Sequence, residues 1–284
     1  MKKSLHRKTV NNLPTGTKIV TYICLAWALI VSLVPLIWLV LSSLKKDPMA
    51  RPGFQLPESI CLDGYISTFK DLHVFRYFGN SLIVAGISVL ISVVMISMSA
   101  YVVARMEFKG KKLVNILLYS TMFIPATALT YPVYNLINNL HLYDTGAALI
   151  LIYSCSGIAV SFFVIKNYYD NIPRELEEAA RIDGCGYVQT WVKVIFPIAR
   201  PGIMTAAVLA FLNNWNEYYW ASLVLITREK LTVPALLSTF TTAFNTNYNV
   251  LFSAMVVIIL PPVILYCVFS KFFIEALSGG AVKG

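Results

Sequence analysis

Long apolar runs separated by short charged stretches dominate this sequence. Six windows, each longer than 20 residues, hold no charged side chain except Glu217 in the fifth. A helix rises about 1.5 Å per residue, so each window can cross a hydrocarbon layer of about 30 Å. Because backbone polar groups in lipid need partners within the segment, these windows should be helical. The pattern predicts six transmembrane helices, over residues 19–44, 77–104, 113–137, 145–165, 202–226 and 250–270.

Composition indicates the same class. Hydrophobic residues make up 57% of the 284 residues, only 13% are charged, and the mean hydropathy is +0.68. In a soluble domain about a quarter of the residues are charged. The first window is longer than the apolar stretch of a cleaved signal peptide, which predicts a retained spanning helix. We therefore expect an all-α membrane protein.

The distribution of basic residues predicts the orientation of the chain. The net charge is +9, and the lysines and arginines cluster beside the apolar windows. With a cytoplasmic N-terminus, 16 of the 23 basic residues fall in inside segments and 7 outside, as the positive-inside rule requires. Both termini should therefore be cytoplasmic, and the basic residues should face membrane lipid rather than nucleic acid.

Motifs for catalysis, metal binding and nucleotide binding are not evident. The stretch PTGTK (14–18) lacks the first glycine of a phosphate-binding loop. The three histidines show no metal-ligand spacing, and the five cysteines show neither metal spacing nor a paired framework. We expect a non-catalytic chain without a cofactor or metal of its own. If this protein uses ATP, another chain must bind it.

One charged segment, residues 170–201, separates the fourth and fifth windows. Asp170 or Asn171 can cap a helix there, and Pro173 suits its first turn. Three glutamates follow, where the positive end of the helix dipole favours them. Gly184 should then end or bend the helix.

A second helix is predicted after this bend, with Pro197 and Pro201 breaking it. The segment would then be a helix, a bend and a helix along the membrane, with small and acidic side chains facing the cytosol. An ordinary solvated loop with capping residues is the alternative. The apolar face of the second helix has the spacing i, i+3, i+4, i+7 and consists of Val188, Trp191, Val192 and Ile195.

The same segment resembles the EAA loop of ABC-importer permeases. The letters EAA at 178–180 are followed by Gly184, then by Val194, and then by Phe196 and Pro197 at the family's spacing. Ile and Leu are usual in the family where Val194 and Phe196 stand. Other stretches also look like landmarks of the family, in particular of the second, smaller permease subunit of maltose-type and multiple-sugar importers. These are RYFGNSLIVA (76–85), SAYVVARMEFKGKK (99–112), NNWNEYYW (213–220) and GGAVKG (279–284).

The resemblance implies a coupling helix that docks in a cleft of a cytoplasmic ATPase subunit. Glu178 would make the main polar contact, the two alanines after it would permit close approach, and Gly184 would provide the bend. Asp183 would fix the local turn. The positions carried over from the motif are Glu178, Ala179, Ala180, Asp183, Gly184 and Pro197.

The resemblance also implies a type I ABC-importer fold, the location and the partners. The chain would lie in a bacterial cytoplasmic (inner) membrane as a heterodimer with a second permease subunit. Two ATPase subunits would bind ATP and Mg²⁺, and an extracytoplasmic solute-binding protein would deliver substrate. The chain would divide into an N-terminal part (1–75), a permease core (76–271) and a cytoplasmic tail (272–284).

The fifth window is interrupted by polar and aromatic residues at 213–220 that could contact a sugar. Amides and carboxylates bind hydroxyl groups, and aromatic rings pack on C–H faces. An ionisable residue in this window is costly unless it faces water or a partner. An aromatic belt at a helix-to-interface transition is the alternative. If the helix continues, one face carries Asn213, Asn216, Glu217 and Trp220.

The third window offers a second candidate for the substrate path. Thr127, Tyr131, Tyr134 and Asn138 recur at i, i+4, i+7 and i+11, beside two prolines. Prolines in spanning helices often mark a bend near a cavity. Polar contacts between neighbouring helices are the alternative reading of these side chains.

These observations predict a permease that moves a sugar or oligosaccharide. The same machinery carrying glycerol phosphate or another small polar solute is an alternative. An anionic cargo should need basic residues in the path, and the six windows contain none. A lone ion-coupled carrier is a more distant alternative, because such carriers use titratable residues near the midplane and Glu217 lies nearer the outer side.

Overall fold

A computed structural model describes residues 14–50, 52–240 and 247–281, with side chains described up to residue 270. Helices and loops make up these ranges, without β-strands within them, which confirms the predicted all-α class. The stretch MKKSLHRK and the last three residues of GGAVKG lie outside them. The helices are α1 Thr15–Ser43, α2 Asp63–Lys70, α3 Val74–Arg105, α4 Lys111–Thr121, α5 Thr130–Asn139, α6 Gly146–Ser154, α7 Ile158–Asp170, α8 Glu175–Ile182, α9 Tyr187–Ile198, α10 Arg200–Trp215, α11 Tyr219–Val224, α12 Val233–Ser238 and α13 Tyr248–Ala281.

Three of these helices are long and apolar enough to cross a membrane by themselves: α1, α3 and the Tyr248–Ser270 part of α13. Three more candidates are pairs of helices with a break between them. The bend is 100° between α4 and Ala126–Asn139, 49° between α6 and α7, and 80° between α9 and α10. Counting each bent pair as one gives up to six candidate spans, the predicted number, although the pair α9 and α10 covers 187–215 instead of the predicted window 202–226.

The third and fourth predicted windows are therefore broken rather than straight. Pro125 precedes the 3₁₀ turn Ala126–Leu129, and it lies at the 100° break that the prolines of this window predicted. Pro125 cannot donate a backbone hydrogen bond, which favours an interruption there. In the fourth window, Gly157 has a φ of +64° at the break between α6 and α7.

The fifth predicted window is not one helix. α10 has 16 residues and ends at Trp215, and α11 begins only at Tyr219. A helix of that length measures about 24 Å, less than a hydrocarbon layer of about 30 Å. The continuous helix predicted over 202–226 is therefore wrong, and the polar stretch in its middle is the break.

The chain divides into two compact units. Of the described residues, the first comprises 14–50, 52–71 and 247–257. Within it, the side-chain amide of Asn249 donates to the backbone carbonyls of Ser43 (3.2 Å) and Lys45 (2.6 Å). These bonds supply donors at the end of α1, where carbonyls have no helical partner. The apolar window of α1 has no buried residue in this chain, which fits a helix facing lipid or another subunit.

Of the described residues, the second unit comprises 72–240 and 258–281. Here α3 packs against α6, α7 and α10. Its larger core lies near the Arg105 end of α3 and includes residues from α7, α9 and α10. The fully buried members of this core include Ala100, Phe162, Ile165, Tyr169 and Ile195. The charged segment is thus packed directly onto the long helices of this unit.

Gly202 allows α10 to lie close to α7. A Cβ atom at this position would stand 2.2 Å from the ring of Tyr168. A small residue at a helix contact lets two backbones approach closely. This contact fixes the start of α10, directly after the charged segment.

Candidate functional site

The charged segment forms a helix, a bend and a second helix, as predicted, but it starts differently. Asp170 is the last residue of α7, and its carboxylate pairs with Lys166 at 2.7 Å. α8 follows Arg174 and has no side-chain cap. The predicted capping role of Asp170 or Asn171 is therefore wrong, because the (i, i+4) ion pair with Lys166 keeps Asp170 in the preceding helix.

Gly184 makes the bend at the end of α8. Its φ is +83°, a conformation that favours glycine. The N–H of Cys185 donates to the carbonyl of Ala180 (2.9 Å), and the N–H of Gly184 donates to that of Arg181 (3.0 Å). This pair of bonds is a Schellman motif, which closes the helix end. Across the bend, the Arg181 guanidinium lies 4.8 Å from the centre of the Tyr187 ring.

α8 separates the predicted contact residues between two faces. Glu178, Ala179 and Asp183 are exposed, as a docking role requires. Ala180 is only 6% exposed and belongs to the interior of the chain, so its small size serves packing there. Ile182, which the sequence prediction did not include, is an apolar side chain left 87% exposed at the tip of α8.

The second helix continues through Pro197, contrary to prediction. A π turn over Trp191–Ile195 comes directly before Phe196 and Pro197. Proline lacks an N–H and its ring displaces the carbonyl four residues earlier, so a wider turn accommodates it. The helix ends at Ile198, and Pro201 lies in the first turn of α10, where proline is tolerated.

Half of the predicted apolar face of this second helix is exposed. Ile195 is fully buried and Trp191 half-buried, whereas Val188 and Val192 are 65% and 51% exposed. A π turn has more residues per turn than an α-helix, which disrupts the regular i, i+3, i+4 spacing on which the prediction depended. Thr190, which that spacing left out, is buried.

The pair formed by Arg105 and Glu177 was missed in the sequence. The Nε of Arg105 lies 2.9 Å from Oε1 of Glu177, and their side chains are 4% and 8% exposed. The N–H is not aligned for a hydrogen bond to that oxygen, so the contact is one between charges. The only signal in the sequence is helical phase. Adjacent residues lie on different faces of a helix, so Glu177 and Glu178 cannot both face the same partner.

Glu217 does not share one helical face with the other predicted substrate residues. It lies in the break after α10 and accepts from the backbone N–H groups of Trp220 (3.0 Å) and Ala221 (3.2 Å). The hydroxyl of Tyr153 donates to it at 2.6 Å. The carboxylate thus starts α11 and joins it to α6. Asn213 and Asn216 are exposed and Trp220 is buried, so the single face predicted for these residues is wrong.

The two candidate regions for the substrate path lie next to each other. The hydroxyls of Thr130 in α5 and Tyr219 in α11 are 2.8 Å apart. Tyr131 is 74% exposed, and Tyr134 packs edge-to-face against Tyr143 at 5.6 Å. Exposed hydroxyls and amides therefore converge around the broken ends of α5 and α10, where a polar solute could be bound.

A carboxylate fastens the loop that follows α11. Asp144 accepts from the backbone N–H groups of Ile226 (2.9 Å) and Thr227 (3.0 Å) and pairs with Lys230 at 2.8 Å. Burial acts to raise the pKa of Asp144, but the hydrogen bonds from Lys230 and Thr227 outweigh it and hold this pKa well below its usual value. The loops on this side of the unit are thereby held together.

The side chains that most often bind metal ions are dispersed in the described part of the chain. No group of three or more His, Cys, Asp or Glu side chains is placed to hold a metal ion within those residues. The five cysteines are all unpaired thiols.

Residues 92–279 match the family described as "Binding-protein-dependent transport system inner membrane component". This chain belongs to that family. The match covers α4 to α12, the second part of α3 from residue 92 onward and most of α13, so the permease family expected from the EAA pattern is confirmed. As a member, the chain is a membrane-embedded permease component, and ATP hydrolysis is the task of a partner.

Relatives with sugar-transport names cover nearly the whole chain. The permease is 34% identical over 264 residues to the arabinooligosaccharides transport system permease protein AraQ of Halalkalibacterium halodurans, covering 91% of this chain and 94% of the relative. It is 32% identical over 274 residues to the trehalose transport system permease protein SugB of Mycobacterium tuberculosis, covering 95% and 100%. A solved structure, a bacterial ABC transporter involved in the import of the acidic polysaccharide alginate, matches with a TM-score of 0.79. It is 25% identical and covers 90% of this chain and 95% of its own.

Proposed function

We propose that this permease carries a sugar or oligosaccharide inward across a bacterial cytoplasmic membrane, as a subunit of an ATP-driven ABC importer. Family membership supports the transporter class, and the names of relatives that match nearly end to end support a saccharide cargo. The exposed polar and aromatic side chains around the breaks of α5 and α10 suit a hydroxylated solute.

In this proposal the exposed face of α8 docks on a cytoplasmic ATPase subunit. The observation that carries it is the division of α8 into two faces. Ala180 and Glu177 are buried in the chain, while Glu178, Ala179 and the 87% exposed Ile182 point away from it. This arrangement suits a cleft on a partner that buries the apolar side chain of Ile182 and donates hydrogen bonds to the carboxylate of Glu178.

The remaining subunits follow from the class of transporter. A second permease subunit completes the membrane pathway as a heterodimer, two ATPase subunits bind ATP and Mg²⁺, and an extracytoplasmic binding protein delivers the solute. The excess of basic residues in the predicted inside segments supports a cytoplasmic location for α8 and both termini. ATP drives transport only as far as its binding favours one orientation of the pathway over the other.

Uptake into vesicles tests this function. The two permeases and the ATPase are reconstituted in vesicles that contain ATP and Mg²⁺. The binding protein and radiolabelled saccharides are added outside the vesicles. We expect uptake that requires both ATP and the binding protein. Glu178→Lys should abolish uptake while the chain still inserts in the membrane. Uptake driven by an ion gradient without ATP would contradict the proposal.

The cargo is tested in the same vesicles. A neutral oligosaccharide, an acidic oligosaccharide and glycerol phosphate are compared, each with the cognate binding protein present. Because the apolar windows of this chain contain no basic residue, a neutral saccharide is expected to be carried fastest. Transport of glycerol phosphate alone would show that the machinery is right and the saccharide assignment wrong.

A further inference from the structure

Arg105 is a buried cation at the junction of three helices. It is the last residue of α3, and its side chain is 4% exposed. Its Nε lies 2.9 Å from the carboxylate of Glu177 in α8, which is 8% exposed. A charge buried to this degree is costly unless it is paired, so each of the two residues requires the other.

The same guanidinium also holds the end of α7. Its Nη2 donates to the backbone carbonyls of Tyr169 and of Ile172, the latter at 2.6 Å. These carbonyls lie at and just beyond the C-terminal end of α7, where the helix dipole favours a positive charge. The planar guanidinium can serve the carboxylate and both carbonyls at once, which a lysine ammonium on its flexible stem cannot match.

A second polar contact attaches the other half of the charged segment to the same two helices. The hydroxyls of Tyr169 in α7 and Ser97 in α3 are 2.5 Å apart. The indole N–H of Trp191 in α9 donates to the Tyr169 hydroxyl at 3.1 Å. Tyr169 and Ser97 are both fully buried. Hydrogen bonds through the Tyr169 hydroxyl therefore attach α9 to α7 and α3, while the charge contact of Glu177 with Arg105 attaches α8 to α3.

We infer that Arg105 is a positioning residue that transmits displacement of α8 to the membrane helices α3 and α7. This inference rests on the proposed docking of α8 on an ATPase. The apolar core around it excludes water but is not directional, so apolar contacts alone would let α8 slide against α3. Arg105 ties the movement of these helices together, because its Nε lies beside the carboxylate of α8 while its Nη2 donates to carbonyls at the end of α7.

This inference is tested by substitutions that keep the approximate size of the side chain but change either the guanidinium group of Arg105 or the charge of Glu177. Arg105→Lys keeps the cation but loses the guanidinium group, and Glu177→Gln removes the charge of its partner. The measured quantity is saccharide transported per ATP hydrolysed in vesicles containing the complete complex. We expect this ratio to fall about tenfold in both variants, while the ATPase still co-purifies at the wild-type ratio.

Glu107→Gln is the matched control. It breaks an ion pair of the same length, 2.9 Å to Lys111, close to the same end of α3, but this Glu107 side chain is 81% exposed. An exposed pair contributes little, so transport per ATP should stay within about twofold of wild type.

A third variant distinguishes transmission of movement by Arg105 from a purely structural role of this residue. The double substitution Arg105→Met with Glu177→Met replaces the ion pair by apolar side chains, an exchange that often preserves stability. If Arg105 transmits movement, this variant assembles and melts like wild type but transports about tenfold less per ATP.

Three outcomes would be decisive. Wild-type transport per ATP in the double variant, or in both single variants, would overturn the inference. If the single variants fail to assemble and the double variant recovers both assembly and transport, the pair serves stability alone and the inference also fails. Lack of ATP-dependent uptake by the wild-type complex would instead reject the proposed function itself.

Discussion

Two neighbouring glutamates illustrate how position decides the task of a residue. Glu177 and Glu178 are adjacent and chemically alike, yet one is buried against Arg105 and the other is exposed. Successive residues on a helix point about 100° apart, so the two cannot share a face. The sequence identified Glu178 through its place in the EAA pattern. It could not identify Glu177, because its partner lies 72 positions away on another helix.

Gly184 provides the prediction at the residue scale. Its φ of +83° strains any residue with a Cβ, although open space surrounds the position. Gly184→Ala should therefore lower the free energy of unfolding by about 1–2 kcal/mol and reduce transport, since it opposes the bend after α8. Thermal unfolding of the purified complex and uptake into vesicles measure the two effects.

Gly186 is the control two residues further on. It has a φ of −73°, which alanine adopts without strain, and it too has open space around it. Gly186→Ala should change the free energy of unfolding by less than about 0.5 kcal/mol. Equal effects of the two substitutions would show that the left-handed conformation of Gly184 is not what fixes the bend.

At the scale of elements, the sequence predicted where helices lie better than where they break. Runs of apolar residues are a local property, so α1, α3 and α13 were predicted as long helices and are found as such. The start of α11 after the break depends on Glu217, whose carboxylate accepts from the N–H of Trp220 and from the hydroxyl of Tyr153 in α6. That partner is distant in sequence, and no local pattern at 213–220 reveals it.

The loop after α11 supplies the prediction at this scale. The pKa of Asp144 is lowered by its hydrogen bonds, so its ionised form stabilises the folded chain. Asp144→Asn keeps the shape of the side chain and tolerates the positive φ at this position. We expect it to lower the free energy of unfolding by about 2 kcal/mol near pH 7, because several charge-assisted hydrogen bonds are weakened.

The sign of the pH dependence follows from the lowered pKa. The stabilisation by Asp144 is complete above the ordinary pKa of 3.8 and is lost as the pH falls through the lower pKa of the folded state. The difference in the free energy of unfolding between wild type and variant should therefore be constant from neutral pH down to about pH 3.8, the ordinary pKa, and shrink below it. Thermal unfolding at a series of pH values measures it, with Glu229→Gln, an exposed carboxylate of the same loop, as the control. A difference that grows on acidification would contradict the assignment.

For the whole molecule, the sequence was sufficient to predict an all-α membrane permease, but not the contacts between its helices. The apolar windows, the basic clusters and the EAA spacing are each readable within a few dozen residues. The contacts that attach the charged segment to the membrane helices join Arg105 to Glu177, and Tyr169 to both Ser97 and Trp191. Such pairs depend on which helices become neighbours, so only the folded chain reveals them.

Cross-linking from α8 tests most directly whether the exposed face of this helix docks on a cytoplasmic ATPase subunit. A single cysteine is introduced as Ala179→Cys, on the exposed face of α8, in a chain whose five native cysteines are replaced by serine. Lys112→Cys, exposed in α4, is the control position. With a short bifunctional reagent and the complete complex, we expect the ATPase subunit to be captured from position 179 and not from position 112. Failure to capture it from 179, or labelling of 179 only from the extracytoplasmic side, would contradict the account.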